Sequence, residues 1–212
     1  MWRKLFDPTA LFWRWMSTLA DVLLLSLLWF FTSLPLLTLG AATTALYDAS
    51  TRCVRTGENG AWLRYLRTFW GELPVAVPAT LLWGGLLTAL AWGLRLLWQA
   101  MLAKVAGAPL AAAVYAVALL IPVGAFLWMF PLLSRFTFSL GGLLRTSLQF
   151  SLAYLPFTVL IVVFTAAVGL VSLLFLLPML VTPCLTTLFW SIWMERAFRK
   201  HLPTDPLPPS EE

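Results

Sequence analysis

Charged side chains are scarce in this chain. Only 11% of its 212 residues are Asp, Glu, Lys or Arg, whereas soluble domains average about 25%. Apolar residues make up 61%, and the mean hydropathy is +0.88. A water-soluble fold of this size could not bury so much apolar surface, so lipid is the expected solvent. The composition therefore predicts an all-α, polytopic transmembrane helical bundle, because helices satisfy their own backbone hydrogen bonds in lipid.

Groups that carry catalysis or bind metals are also scarce. The two cysteines, Cys53 and Cys184, lie far apart in sequence, and the single histidine, His201, has no second histidine or cysteine nearby, so neither a disulfide framework nor a metal site is expected. The sequence has no Walker-type phosphate loop and no nucleophile elbow. The apolar runs hold almost no ionisable group. We therefore predict that the protein is not an enzyme and uses no cofactor and no metal.

Five apolar runs predict about five membrane spans. They cover approximately 20–40, 74–98, 109–133, 154–177 and 179–195. The first four have the ~20 residues that a spanning helix needs. The fifth is shorter and more polar, so it either spans while packed against other helices or dips partway. Pro74 and Pro78 are expected to open the second run. We assign residues 1–201 to one transmembrane domain and 202–212 to a disordered, proline-rich tail.

The connection at 41–73 is basic and contains a strong turn signal, TGENG, at 56–60. It is interpreted as a cytoplasmic helix-turn-helix of two amphipathic elbow helices, 43–55 and 61–72, the second with the composition of an interfacial helix. This connection, the 134–153 connection and the C-terminal end together hold nine arginines and lysines, against five on the opposite side. The bias places the C-terminus in the cytoplasm and the N-terminus outside. Basic residues between apolar runs indicate membrane topology and not nucleic-acid binding.

Two short patterns recur and suggest an internal repeat. Residues 63–74 read LRYLRTFWGELP, and residues 144–156 read LRTSLQFSLAYLP. Each precedes an apolar run, so each repeat unit would be a span, an elbow helix and a second span. Because a unit contains two spans, the copies would be parallel repeats about an axis near the membrane normal. The alternative is chance similarity between leucine-rich segments.

Small and polar residues concentrate between Thr32 and Asp48. Gly40 with Thr44, and Ala41 with Ala45, have the i, i+4 spacing that lets helix backbones approach closely. This segment is either a packing seam between helices or a contact surface for a partner or ligand. Its candidate residues are Pro35, Thr38, Gly40, Ala41, Thr43, Thr44, Tyr47 and Asp48. A second set, expected at the cytoplasmic surface to contact a partner or the membrane, consists of Arg52, Arg55, Arg64, Arg67 and Arg145.

The segment between Thr32 and Asp48 resembles the signature of the YesL-like family of bacterial integral membrane proteins. The residues that carry the resemblance are Leu34-Pro35, Thr38, Gly40-Ala41-Ala42 and Ala45-Leu46-Tyr47. A Trp-rich N-terminus, five apolar runs and a basic C-terminal end extend it over nearly the whole chain. Asp48-Ala49-Ser50 departs from the pattern by being more polar. The resemblance supplies no catalytic residues.

Genes of this family often lie beside components of carbohydrate ABC importers. The resemblance therefore implies a multi-pass protein of the bacterial cytoplasmic membrane that acts as a non-enzymatic accessory subunit of a carbohydrate (oligosaccharide) ABC uptake system. Its expected partners are membrane lipid and the permease subunits of the importer. Two alternatives stay open at this point. One is a small autonomous transporter or flippase, acting alone or as a homodimer, and the other is a membrane-embedded sensor or regulator.

Overall fold

Seven α-helices form the part of the chain that the computed structural model describes, which comprises residues 8–55, 60–174 and 181–198. The helices are α1 (Pro8–Ser33), α2 (Leu39–Ala49), α3 (Ala61–Leu102), α4 (Ala108–Arg135), α5 (Leu140–Ala153), α6 (Leu155–Leu174) and α7 (Thr182–Phe198). These described stretches contain no β-strand. The predicted all-α helical bundle is confirmed.

Four of the described helices, α1, α3, α4 and α6, are long and apolar enough to cross a membrane. Length and composition thus mark the chain as a membrane protein. The fifth predicted run forms α7, which has 17 residues and is not among those four. Four predicted features lie wholly or partly outside the described residues, namely the turn at 56–59, the end of the fourth run at 175–177, the start of the fifth run at 179–180 and the tail at 202–212.

The first span ends earlier than the sequence predicts. Helix α1 stops at Ser33 instead of continuing to residue 40. The ring of Pro35 clashes with a helical conformation of the preceding residue, Leu34, so the helix ends before it. A short 3₁₀ turn, Leu36–Thr38, then leads into α2. The Thr38 hydroxyl donates to the carbonyl of Pro35 at 2.8 Å and closes this turn. The chain therefore reverses at the end of α1 and enters the bundle again.

Helix α2 lies inside the bundle. Every residue from Gly40 to Ala49 is buried, and the helix packs against α1, α3, α4 and α7. A π-helical turn, Ser50–Val54, continues it towards the arginine-rich connection. The expectation of a surface helix over 43–55 is wrong for its buried part in α2, because the small side chains of this segment let other helices surround it. Helix α2 is therefore a core element of the bundle.

Helix α3 is one continuous helix of 42 residues that passes through Pro74 and Pro78. At 1.5 Å per residue its length is about 63 Å, twice the ~30 Å thickness of a hydrocarbon core. The second predicted elbow helix is therefore not separate, and the two prolines do not open the span. We call residues 61–73 of α3 the arm. The arm runs antiparallel to α2, with which α3 makes its most extensive contact.

Helices α4 and α5 form an antiparallel pair beside α3. The hydroxyl of Tyr115 on α4 donates to the carbonyl of Leu90 on α3 at 3.0 Å. On the other side, Ser151 of α5 donates to the carbonyl of Ile121 in the middle of α4, also at 3.0 Å. The 134–153 connection thus contains a helix, α5, that folds back along α4 and leaves its other side exposed.

Three tryptophans join neighbouring helices through threonine hydroxyls. The indole N–H donates in each pair, from Trp29 to Thr43 at 3.1 Å, from Trp128 to Thr158 at 2.9 Å and from Trp190 to Thr165 at 3.1 Å. These bonds connect α1 with α2, α4 with α6, and α6 with α7. Interhelical hydrogen bonds of this kind stabilise membrane bundles by about 0.6–2 kcal/mol each.

Candidate functional site

A buried carboxylate connects α2 to the arm. Asp48 Oδ1 lies 3.1 Å from the Nε of Arg52, and its Oδ2 lies 2.8 Å from the Nε of Arg64. The hydroxyl of Thr68 also donates to Oδ2, at 3.0 Å. Only 5% of the Asp48 side chain is exposed, and a charge removed from water in this way is tolerated only when it is paired and hydrogen-bonded. The two arginines and the threonine supply that compensation.

Asp48 forms part of the wall of a cavity of about 450 Å³, which we call the polar cavity. Its lining residues are Asp48, Arg52, Gly60, Leu63, Arg64, Arg67, Thr68, Gly71, Glu72 and Ser134. The residues from 60 to 72 recur at intervals of three and four, so they form one face of the arm. Helix α2 and its π-helical turn build the facing wall, and the end of α4 contributes Ser134.

A second cavity, of about 430 Å³, lies between α1, α2, α4, α6 and α7, and we call it the apolar cavity. Two tryptophans, Trp29 and Trp190, and several aliphatic and phenylalanine side chains dominate its wall. Six hydroxyl-bearing residues also line it, namely Thr43, Thr165, Ser172, Thr182, Thr186 and Thr187. Each hydroxyl makes a hydrogen bond within the protein. The apolar cavity therefore offers a ligand mostly apolar surface.

Helix α2 separates the two cavities. Leu39, Thr43 and Leu46 line the apolar cavity, and their spacing of four and three residues places them on one helical face. Asp48 lies five residues after Thr43, which corresponds to about 140° around the helix axis, and lines the polar cavity. One short helix thus presents an apolar face to one cavity and a charged face to the other.

The residues predicted for the Thr32–Asp48 segment divide into two groups. Pro35 and Thr38 belong to the turn between α1 and α2. The remaining six are buried in α2, namely Gly40, Ala41, Thr43, Thr44, Tyr47 and Asp48. A Cβ atom at Gly40 would collide with the Thr80 hydroxyl of α3, so α2 and α3 approach as closely as glycine permits. This arrangement favours the packing seam over an exposed contact surface.

Three of the five predicted arginines meet at one site, and two do not. Arg52, Arg64 and Arg67 line the polar cavity. Arg55 instead donates to the Ser191 hydroxyl of α7 at 3.1 Å. Arg145 is exposed on α5 and is not part of the cavity wall. Across the residues for which positions are described, no group of His, Cys, Asp and Glu could hold a metal ion.

Sequence reasoning missed both cavities. Threonines at helical spacing near the start of α7, such as Thr182 and Thr186, are the signal that could have indicated a hydroxyl-lined wall. Comparison with known proteins adds no assignment, since no protein-family model, no curated protein and no solved structure matches this chain. The resemblance to the YesL-like family therefore stays an expectation from the sequence.

Proposed function

We propose that this protein is a non-enzymatic accessory subunit that binds the permease of a carbohydrate ABC importer through the exposed face of its arm. The observation that carries the proposal is a rigid helix, continuous with a membrane span, that displays large aromatic side chains away from the bundle. The following features of the arm support this assignment.

One face of the arm is exposed and rich in residues that dominate protein interfaces. Trp62 and Trp70 are 50% and 69% exposed, and Leu63 beside them is also exposed. Tryptophan is among the residues most enriched at binding hot spots. At 3.6 residues per turn, Trp62, Leu63 and Trp70 fall within about 100° around the helix axis, so they share one side of the arm, which we call the arm face. A partner that buries this patch would gain a large apolar area.

Other side chains of the arm hold it in place. Tyr65 and Phe69 are buried against the bundle, and their rings stack with centroids 6.3 Å apart. Arg64 and Thr68 bind Asp48 of α2. An interface that is already ordered loses less conformational entropy on binding. The arm is thus preorganised to present the arm face.

Two expectations from the sequence direct the proposal towards sugar uptake and towards the cytoplasm. The resemblance in the segment that includes Pro35 and Tyr47 supplies the link to carbohydrate importers. The excess of basic residues supports a position of the arm on the cytoplasmic side of a bacterial cell membrane. Arg55, at the end of the π-helical turn, contacts Ser191 of α7. Ser134, near the end of α4, lines the polar cavity together with the arm. The basic connections therefore lie at one end of the bundle.

Co-purification from native membranes tests the proposal. The double variant Trp62→Ala/Trp70→Ala removes the arm face without touching the contacts to Asp48. The matched control is Trp92→Ala/Trp98→Ala, because these two tryptophans are equally exposed at the far end of the same helix. We expect the arm variant to co-purify at least about tenfold less permease than the wild-type protein, since two hot-spot residues are removed. The control variant should co-purify as much permease as the wild-type protein.

Two results would contradict the proposal. One is recovery of the permease to the same extent by both double variants. The other is the absence of any importer subunit from the wild-type preparation, together with normal oligosaccharide uptake in cells that lack this protein. In either case the exposed tryptophans would act only as interfacial anchors, which is the common role of tryptophan at membrane boundaries.

A second candidate function is that of a small transporter or flippase, and the apolar cavity favours it. This cavity lies between five helices, and its volume of about 430 Å³ is within the ~300–1,000 Å³ range of ligand sites. Purified protein in liposomes would move a fluorescent lipid or a labelled sugar without any partner. A Thr186→Leu change, which fills part of the cavity wall, would then slow transport, whereas a protein inactive in liposomes would remove this candidate.

A further inference from the structure

The polar cavity has the size and position of a small-ligand site. Its volume of about 450 Å³ suits a compact molecule. The arm residues that line it precede the apolar run predicted at 74–98, so a membrane centred on that run would leave the cavity at the depth of lipid headgroups and adjoining water. Both soluble compounds and the headgroups of lipids can therefore reach it.

The charges of the cavity wall do not cancel. Three arginines and two carboxylates line it, which leaves one positive charge in excess. Asp48 is surrounded by Arg52 and Arg64, so these three residues carry one net positive charge among them. Arg67 adds a second, and within the described residues it has no ion-pair partner. The arginine side of the cavity thus attracts an anion.

Glu72 gives the cavity a negatively charged end opposite the arginines, so the cavity has a positive and a negative pole. It lies five residues beyond Arg67, or about 7.5 Å along the helix axis, and the described residues contain no ion-pair partner for it either. The hydroxyl group of Ser134 also lines the wall. A bare anion would satisfy the arginines and leave Glu72 unsatisfied. A ligand with an anionic group at one end and a hydrogen-bond donor at the other would satisfy both poles.

We infer that the polar cavity binds a phosphate group that carries a neighbouring hydroxyl or amine. Arg67 binds the phosphate oxygens, since a guanidinium can donate two parallel N–H hydrogen bonds to them. The positive charge shared by Arg52, Arg64 and Asp48 strengthens this attraction. Glu72 accepts a hydrogen bond from the donor group and so discriminates against sulfate, which has no hydrogen-bond donor. This site goes beyond the proposed docking role, because its charged residues are distinct from the two tryptophans through which the arm face would contact a permease.

The same chemistry occurs in a soluble phosphorylated alcohol and in a lipid headgroup, and two probes separate these sources. Glycerol 3-phosphate is titrated calorimetrically into purified protein in maltoside detergent, with sodium sulfate as the comparison anion. Separately, the protein is reconstituted into nanodiscs of phosphatidylcholine with or without phosphatidylglycerol, and native mass spectrometry counts the lipids that stay bound. Phosphatidylglycerol carries the required hydroxyls, whereas phosphatidylcholine does not.

Three variants make the test specific. Arg67→Ala should weaken binding of whichever probe is held by about tenfold, the effect of one charge-assisted contact. Arg95→Ala is the matched control, because Arg95 stands on the same helix outside the cavity, over the ring of Trp92. Glu72→Gln should bring the affinities for glycerol 3-phosphate and sulfate closer together, since it removes the carboxylate that repels the bare anion.

If Arg67→Ala loses glycerol 3-phosphate binding and Arg95→Ala keeps it, the site binds a soluble ligand. Loss of retained phosphatidylglycerol in the same variant supports it with a lipid ligand. The inference is overturned if neither probe binds the wild-type protein, or if Arg67→Ala and Arg95→Ala bind equally well. Retained co-purification of a permease by Arg67→Ala would separate this site from the docking role.

Discussion

Replacing Asp48 with asparagine should lower the stability of the bundle by a measurable and specific amount. The change keeps the shape of the side chain and an oxygen that can accept from Thr68, but it removes the charge that faces Arg52 and Arg64. Breaking a fully buried ion pair costs about 3–5 kcal/mol, most of it from the charge left without compensation. The arginine side chains here are 38% and 31% exposed, so water can solvate them. We therefore expect a loss of about 2 kcal/mol.

The free energy of unfolding can be measured by titrating SDS into mixed micelles and following the helical signal by circular dichroism. The matched control is Glu72→Gln, which makes the same carboxylate-to-amide change in the same cavity. Because Glu72 has no ion pair within the described residues, its variant should stay within about 0.5 kcal/mol of the wild type. Equal effects of Asp48→Asn and Glu72→Gln would refute the role of Asp48 as the connection between α2 and the arm.

A double-mutant cycle measures the contribution of the ion pair between Asp48 and Arg64, which joins α2 to the arm. Asp48 and Arg64 are sixteen residues apart and belong to different helices. Arg64→Gln combined with Asp48→Asn should cost less than the sum of the two single changes, with a coupling of at least about 0.5 kcal/mol. Simple additivity would mean that the observed pair does not contribute to stability.

Two further predictions concern the packing of the helices. Gly40→Ala should destabilise the protein by about 1–3 kcal/mol, because the new methyl group meets the Thr80 hydroxyl, whereas Gly84→Ala has open space around it and should be neutral in the same SDS titration. Trp128→Phe loses the hydrogen bond to Thr158 and should cost about 1 kcal/mol. An unchanged midpoint for Gly40→Ala, or for Trp128→Phe, would show that the corresponding contact is not formed in the membrane-embedded protein.

The sequence predicts the spanning helices well and the position of α2 poorly. Hydropathy measures the length of an apolar run, and this is why α4 and α6 begin within a residue of their predicted starts. It does not distinguish a polar helix at the membrane surface from one enclosed by other helices, since both alternate polar and apolar residues. The compensation for Asp48 comes from Arg64 and Thr68 on another helix, and no local pattern encodes that pairing.

The continuity of α3 and the two cavities also depend on tertiary contacts. Pro74 and Pro78 each remove a backbone hydrogen bond, which makes a helix boundary a reasonable expectation from sequence alone. In the bundle the helix continues through both prolines, and Gly40 of α2 packs beside the carbonyl of Ala76 between them. The arginines of the polar cavity were selected from the sequence as surface residues. Only the fold shows that Arg52, Arg64 and Arg67 converge while Arg145 stands apart.

The burial of α2 has a consequence for how this protein is assembled. With 11 residues, α2 is too short to insert into a bilayer as an independent span, and it carries a carboxylate. The four long helices can insert one by one, and their association follows in a second stage. Helix α2 belongs to that second stage, since Asp48 gains its compensating charge only when the arm is beside it. Substitutions in α2 should therefore leave membrane insertion intact and act on the maturation of the inserted chain.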